Sequence, residues 1–84
     1  MNLKEVIRNK SKLIYGTDAV LKAAQSKKVS AIFFASNYPN SMSDEFSEIS
    51  ESNEFTVERV ERNSEELGAL LRKPFLISVI GVKK

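Results

Sequence analysis

The stretch "VSAIFFAS", residues 29–36, decides how this chain folds. It is short, almost continuously apolar, and closed by the turn residues of "NYPN" at 37–40. A strand with one wet face alternates apolar and polar side chains; a continuous run of this length reads as a central strand covered on both faces. Something must then lie above and below it.

The segments on either side supply candidates. "TDAVLKAAQSKK" (17–28) places Val20, Leu21 and Ala24 on one helical face, with Thr17 as the expected cap. Asp18 at its start and Lys27 and Lys28 at its end complement the helix dipole. After the 37–40 loop, Ser41 and Asp44 approximate a capping box, and Met42, Phe46 and Ile49 form the stripe of another helix. "EFTVERV" (54–60) alternates and predicts a more exposed strand, while "RNSEELGALL" predicts a short helix capped by Asn63 or Ser64 and stopped by Pro74. "FLISVIGV" (75–82) is β-branched and apolar, a second central strand. Before Gly16, "KLIY" (12–15) suggests a short strand, and "NLKEVIR" a first helix on Leu3, Val6 and Ile7, capped by Asn2. Helices and strands thus alternate four times. The expected architecture is α/β: a three-layer α/β/α sandwich with a four-stranded mixed sheet and helices on both faces. One domain over residues 1–84 accounts for the length.

Composition narrows the chemistry. The 84 residues include no cysteine and no histidine. That removes disulfides, thiolate nucleophiles and the side chain most used for acid–base and metal work near neutral pH. The three glycines, Gly16, Gly68 and Gly81, are too scattered for a nucleotide-phosphate loop. No cofactor or metal is expected, and no catalysis. No run approaches a membrane span and the opening residues lack the apolar core of a signal peptide, so a cytoplasmic location is expected.

The net charge of +2 hides a segregated pattern. Residues 1–28 carry seven cations against Glu5 and Asp18; residues 44–66 carry nine acids against Arg59 and Arg62; residues 72–84 carry Arg72, Lys73, Lys83 and Lys84 with no acid. Such a chain can present a basic side to a polyanion, or the charges can mix in space.

Two places read as possible anion contacts. In "YGTDAVLK" (15–22) a strand passes through Gly16 into a helix start, with Lys22 about one turn in. The bland alternative is a capped turn with a surface lysine. In "LLRKPF" (70–75) Pro74 ends a helix and leaves Arg72 and Lys73 in a loop beside Phe75. An arginine near an aromatic ring suits phosphate and an unstacked base, unless Phe75 is simply core.

The stretches "LIYGTDAVLKAAQSKKVSAIFFASNYP" and "SEELGALLRKPFLISVIGV" together resemble the archaeal and eukaryotic large-subunit ribosomal protein thirty-e family, within the wider group of kink-turn RNA binders. The resemblance runs over residues 3–82. It implies the same sandwich, no catalysis, and binding to sharply bent RNA with tandem sheared G·A pairs. It places RNA contacts on Gly16, Thr17, Asp18 and Lys22, and on Arg72, Lys73 and Phe75, with Asn37 near the same edge. Two departures stand out. Asp18 occupies a position where the family has an amide or basic residue, and Arg72-Lys73 replaces the family's Gly-Arg before Pro-Phe. The implied role is a structural constituent of the large ribosomal subunit that binds kink-turn rRNA, a monomer outside the ribosome with other ribosomal components as partners. The alternatives are a core protein of an RNA modification or processing ribonucleoprotein, and a protein–protein adaptor using the acidic 44–66 segment.

Overall fold

The computed structural model describes Arg8 and residues 12–84, and the helix expected at the very start of the chain lies outside them. The described elements are β1 (Leu13–Tyr15), α1 (Thr17–Gln25), β2 (Val29–Phe34), α2 (Asn40–Asn53), β3 (Thr56–Arg59), α3 (Ser64–Leu70) and β4 (Val79–Lys83). The four strands form one mixed sheet in the order β1-β4-β2-β3. β4 is antiparallel to both neighbours, pairing Ile14 with Gly81 on one side and Ile32 with Gly81 on the other, and β2 runs parallel to β3.

β2 is central and doubly covered, as its sequence requires. Ala31 and Phe33 point into one core with Leu67 of α3 and Leu71 just after it, and with Ile80 and Val82 of β4. Ile32 and Phe34 point into the other with Val20 and Ala24 of α1, Phe46 of α2, and Val79. The same alternation in β1 sends Leu13 to the first core and Ile14 to the second. Helices therefore lie on both faces, and the three-layer arrangement follows from which residues must leave water. β3 is the exposed edge, with Phe55 buried just before it, and Thr56 and Glu58 on the wet side.

Several local readings require correction. Thr17 does not cap α1; the cap position is Gly16, and the helix begins at Thr17. The Ser41–Asp44 capping box does not form: α2 starts two residues earlier, at Asn40 after Pro39, with no side-chain cap. At α3 the cap is Asn63, one of the two expected, and it forms a capping box that was not expected, with Asn63 Oδ1 accepting from the Glu66 N–H and Glu66 Oε1 from the Asn63 N–H. The last strand begins at Val79 rather than at Phe75, and Leu76 is 66% exposed instead of core. The cause lies in α3. A Cβ at Gly68 would collide with the Phe75 carbonyl oxygen, so only glycine lets that backbone lie directly on the helix. The chain after α3 turns back along it to an Ile77 N–H···O=C Ser64 bond of 3.1 Å, and enters the sheet only then.

All three described helices end in left-handed conformation without glycine: Lys27 (φ 59°), Glu54 (φ 56°) and Arg72 (φ 58°). α1 and α3 close by the same pair of bonds. Lys27 and Lys28 donate to Ala24 and Ala23, and Arg72 and Lys73 to Ala69 and Gly68.

Candidate nucleic-acid interface

Two chain segments meet at one end of the sheet. The first is the turn from β1 into α1. Gly16 has φ 94° and ψ 140°, a conformation that side chains with a Cβ rarely adopt. It lets the chain pass from strand to helix in a single residue and leaves the first amides of α1 without intrahelical partners. The second is the 72–78 segment between α3 and β4. Tyr15, Gly16 and Thr17 of the first and Phe75 to Val79 of the second line one groove of about 440 Å³. Phe75 is 52% exposed in this groove, so its ring is available to a partner, and it is not core.

Lys73 joins the two segments from above. Its ammonium lies 5.5 Å from the centre of the Tyr15 ring, close enough for a cation–π attraction. Tyr15 is partly buried, and that burial pushes its phenol pKa above the usual value. The ring thus stays neutral over the physiological range.

The other expected residues divide. Asp18 and Lys22 are exposed on α1, four residues apart and so on one face, beyond the groove lining. Thr17 is half-buried, and its hydroxyl is 3.1 Å from the Tyr38 hydroxyl, so it braces the turn from within. Arg72 is exposed at the end of α3, also outside the groove lining. Asn37 faces inward in function although its residue is exposed. Its Oδ1 accepts from the Ser64 N–H at 3.0 Å and its Nδ2 donates to Ser64 Oγ at 3.2 Å, tying the β2–α2 loop to the start of α3.

That loop forms a support that the sequence did not reveal. Arg59 at the end of β3 donates to the carbonyls of Ala35 (3.0 Å), Ser36 (3.3 Å) and Tyr38 (2.8 Å), and to Asn40 Oδ1 and Ser43 Oγ. Tyr38 stacks on Phe34 with ring centres 5.3 Å apart and holds Thr17. Asn37 holds Ser64, which holds Ile77. Both walls of the groove therefore hang from residues 35–40. Leu76 and Tyr15 also belong to the surface and went unrecognised. The available signal was Gly68, a small residue inside a helical stripe, which marks close backbone approach.

An exposed ring and an aliphatic side chain next to a lysine can receive an unstacked base while the cation meets a phosphate. Among the described residues no three His, Cys, Asp or Glu side chains gather to hold a metal ion, and no helix is long and apolar enough to cross a membrane.

Comparison with known proteins gives the same direction. Residues 1–84 match the family described as the ribosomal protein L7Ae/L30e/S12e/Gadd45 family. The chain is 31% identical over 80 residues to the large ribosomal subunit protein eL30 of Sulfolobus acidocaldarius, covering 95% of this chain and 76% of that protein. It is 30% identical over 80 residues to the eL30 of Sulfurisphaera tokodaii, covering 95% and 74%. Among solved structures, a Bacillus halodurans protein of unknown function superposes with a TM-score of 0.80 at 26% identity, over 95% of this chain and 78% of that one.

Proposed function

Because the chain belongs to the ribosomal protein L7Ae/L30e/S12e/Gadd45 family, we propose that it is a non-catalytic RNA-binding protein of the large ribosomal subunit that grips a kink-turn. Its eL30 relatives, large-subunit proteins by name, support the ribosomal role. The observation that carries the site is the groove shared by the Gly16 turn and the 75–79 segment. In this reading the whole chain acts as a single RNA-binding domain. Backbone amides around Gly16 approach the RNA closely, Lys22, Arg72 and Lys73 meet phosphates, and Phe75 packs on an exposed base or sugar. Thr17 and Asn37 hold the two walls in place. Asp18 is placed to accept a hydrogen bond from a base amino group, because its charge opposes a phosphate there. The partners are rRNA and, through it, other ribosomal components.

Gel-shift titration against a kink-turn RNA, and against the same RNA with its G·A pairs replaced, tests this. Tight binding to the first and weak binding to the second is expected; equal, weak affinity for both would sink the reading. Co-sedimentation with large ribosomal subunits checks the ribosomal half separately.

A further inference from the structure

The end of the sheet opposite the groove carries a second concentration of charge. β1 and β4 are antiparallel, with Leu13 opposite Val82, so Lys12 flanks Lys83. Lys83 pairs in register with Val29, and the Lys84 N–H donates to the Lys28 carbonyl at 3.0 Å. Lys27 precedes Lys28 in the turn that ends α1. Strand order then places Lys12, Lys83 and Lys84, and Lys27 and Lys28 at the ends of three adjacent strands, β1, β4 and β2. All five are exposed. Among the described residues, Glu54 lies at the end of α2 on the β3 side, and Glu48 shares a hollow with Gln25 at the end of α1. The groove end is more mixed, since Asp18 and Glu65 accompany its cations.

We infer that this lysine-bearing end is a second RNA contact, which takes the phosphate backbone of an A-form duplex distinct from the RNA held in the groove. The partner class follows from what the described surface lacks. Among the described residues the exposed large apolar side chains, Phe75 and Leu76, are both at the other end. A protein partner needs such anchors at the centre of its interface, whereas a polyphosphate needs only flexible point charges. The contact reads no sequence, because ammonium groups on phosphates position without specifying bases. The four steps from Val79 to Lys83 separate the two ends by roughly 14 Å at about 3.4 Å per residue. The protein therefore sits between two RNA segments.

The test uses a 14-base-pair RNA duplex with no internal loop and no G·A pairs, so its outcome does not depend on the kink-turn reading. Affinity is measured between 50 and 200 mM salt for the wild type and for K27Q/K28Q/K83Q/K84Q. Four or five phosphate contacts predict a loss of about 150- to 500-fold for the wild type over this range, and no more than about 3-fold for the variant. R62Q, which removes an exposed cation outside both contacts, should keep the wild-type salt dependence. Amide signals of Lys28, Lys83 and Lys84 should shift on duplex addition, and those of Gly16 and Phe75 should not. Equal salt dependence in the wild type and the lysine variant overturns the proposal, as do shifts confined to the groove end. Polyglutamate of matched charge binding as tightly as the duplex also overturns it, and assigns this end to an acidic protein.

Discussion

Residues 35–40 and residues 72–76 both connect a buried element to the next one near the same end of the sheet. In the first loop, the carbonyls of Ala35, Ser36 and Tyr38 accept from Arg59, the Tyr38 ring is stacked on Phe34 with its hydroxyl bonded to Thr17, and Asn37 is committed to Ser64. In the second, two backbone bonds close the helix, and beyond them Arg72, Lys73, Pro74, Phe75 and Leu76 are all exposed. One loop directs its hydrogen-bonding groups inward; the other leaves cations and apolar side chains facing out. Exposed apolar surface beside charge lowers the solubility of a free protein and is retained where a partner covers it. The contrast separates a support from a contact surface within the same resemblance to RNA binders.

Removing the support should have the largest effect. Arg59→Met keeps the length of the side chain but deletes five hydrogen bonds, leaving the Ser36 and Tyr38 carbonyls to find water while Ala35 keeps the Tyr38 N–H. Charge-assisted bonds contribute about 1.5–3 kcal/mol each and are not additive, so a loss of about 3 kcal/mol in unfolding free energy is expected. RNA affinity should fall with it, because Thr17 loses its brace through Tyr38. A denaturant midpoint within error of the wild type would show that the loop holds itself.

Gly68→Ala attacks the junction between support and surface. The added methyl meets backbone, not a movable side chain, so the 72–77 segment must shift off α3. Overpacking of this kind costs about 1–3 kcal/mol, and we expect about 2. Weakened RNA binding with unchanged salt dependence should accompany it, since the phosphate contacts remain and their spacing changes.

These two positions also show where the sequence stops being informative. The central strand at 29–34 and the stripe of α2 were legible because burial on a periodic element leaves a pattern within a few residues. The Asn63 cap of α3 was legible because a cap and the amide it accepts from lie within three residues. Arg59 was not. It looked like one more residue of a partly exposed alternating strand, and its partners lie 16 to 24 residues back in the chain. The start of β4 failed for a related reason. "FLISVIGV" is apolar throughout, and composition cannot tell a paired strand from a segment laid on Gly68 before pairing begins. That the two segments singled out in the sequence line one groove follows from Pro74 and Gly16, which interrupt regular structure where local rules detect it. Whether Phe75 was core or surface depended on the turn-back, which only the assembled backbone shows.

Truncating the outward side of the contrast should invert the pattern. Phe75→Ala with Leu76→Ala removes the two large exposed apolar side chains. Since both are half or more in water, stability should change by less than about 1 kcal/mol. Stacking of a base on an aromatic ring contributes about 1–3 kcal/mol, so kink-turn RNA affinity should drop about 10-fold or more. Unchanged affinity in a gel-shift titration would move the contact elsewhere and leave this loop as an unassigned apolar patch.

The smallest effect is at Arg72, where the two roles compete in one residue. Its φ of 58° costs a residue with a Cβ roughly 1 kcal/mol relative to glycine, and the helix-closing bonds from Arg72 and Lys73 use only backbone. Arg72→Gly should therefore stabilise the fold by about 1 kcal/mol, read as a higher denaturant midpoint with an unchanged slope. It should also remove one phosphate contact and reduce the salt dependence of RNA binding by nearly one unit. Lys27→Gly is the matched control: the same backbone conformation at the end of α1, on the far side of the sheet from the groove. It should give the same gain in stability with kink-turn affinity intact on a short RNA. If both glycine variants stabilise but neither alters binding, Arg72 is only a costly helix cap, and the cationic part of the proposed grip reduces to Lys73 and Lys22.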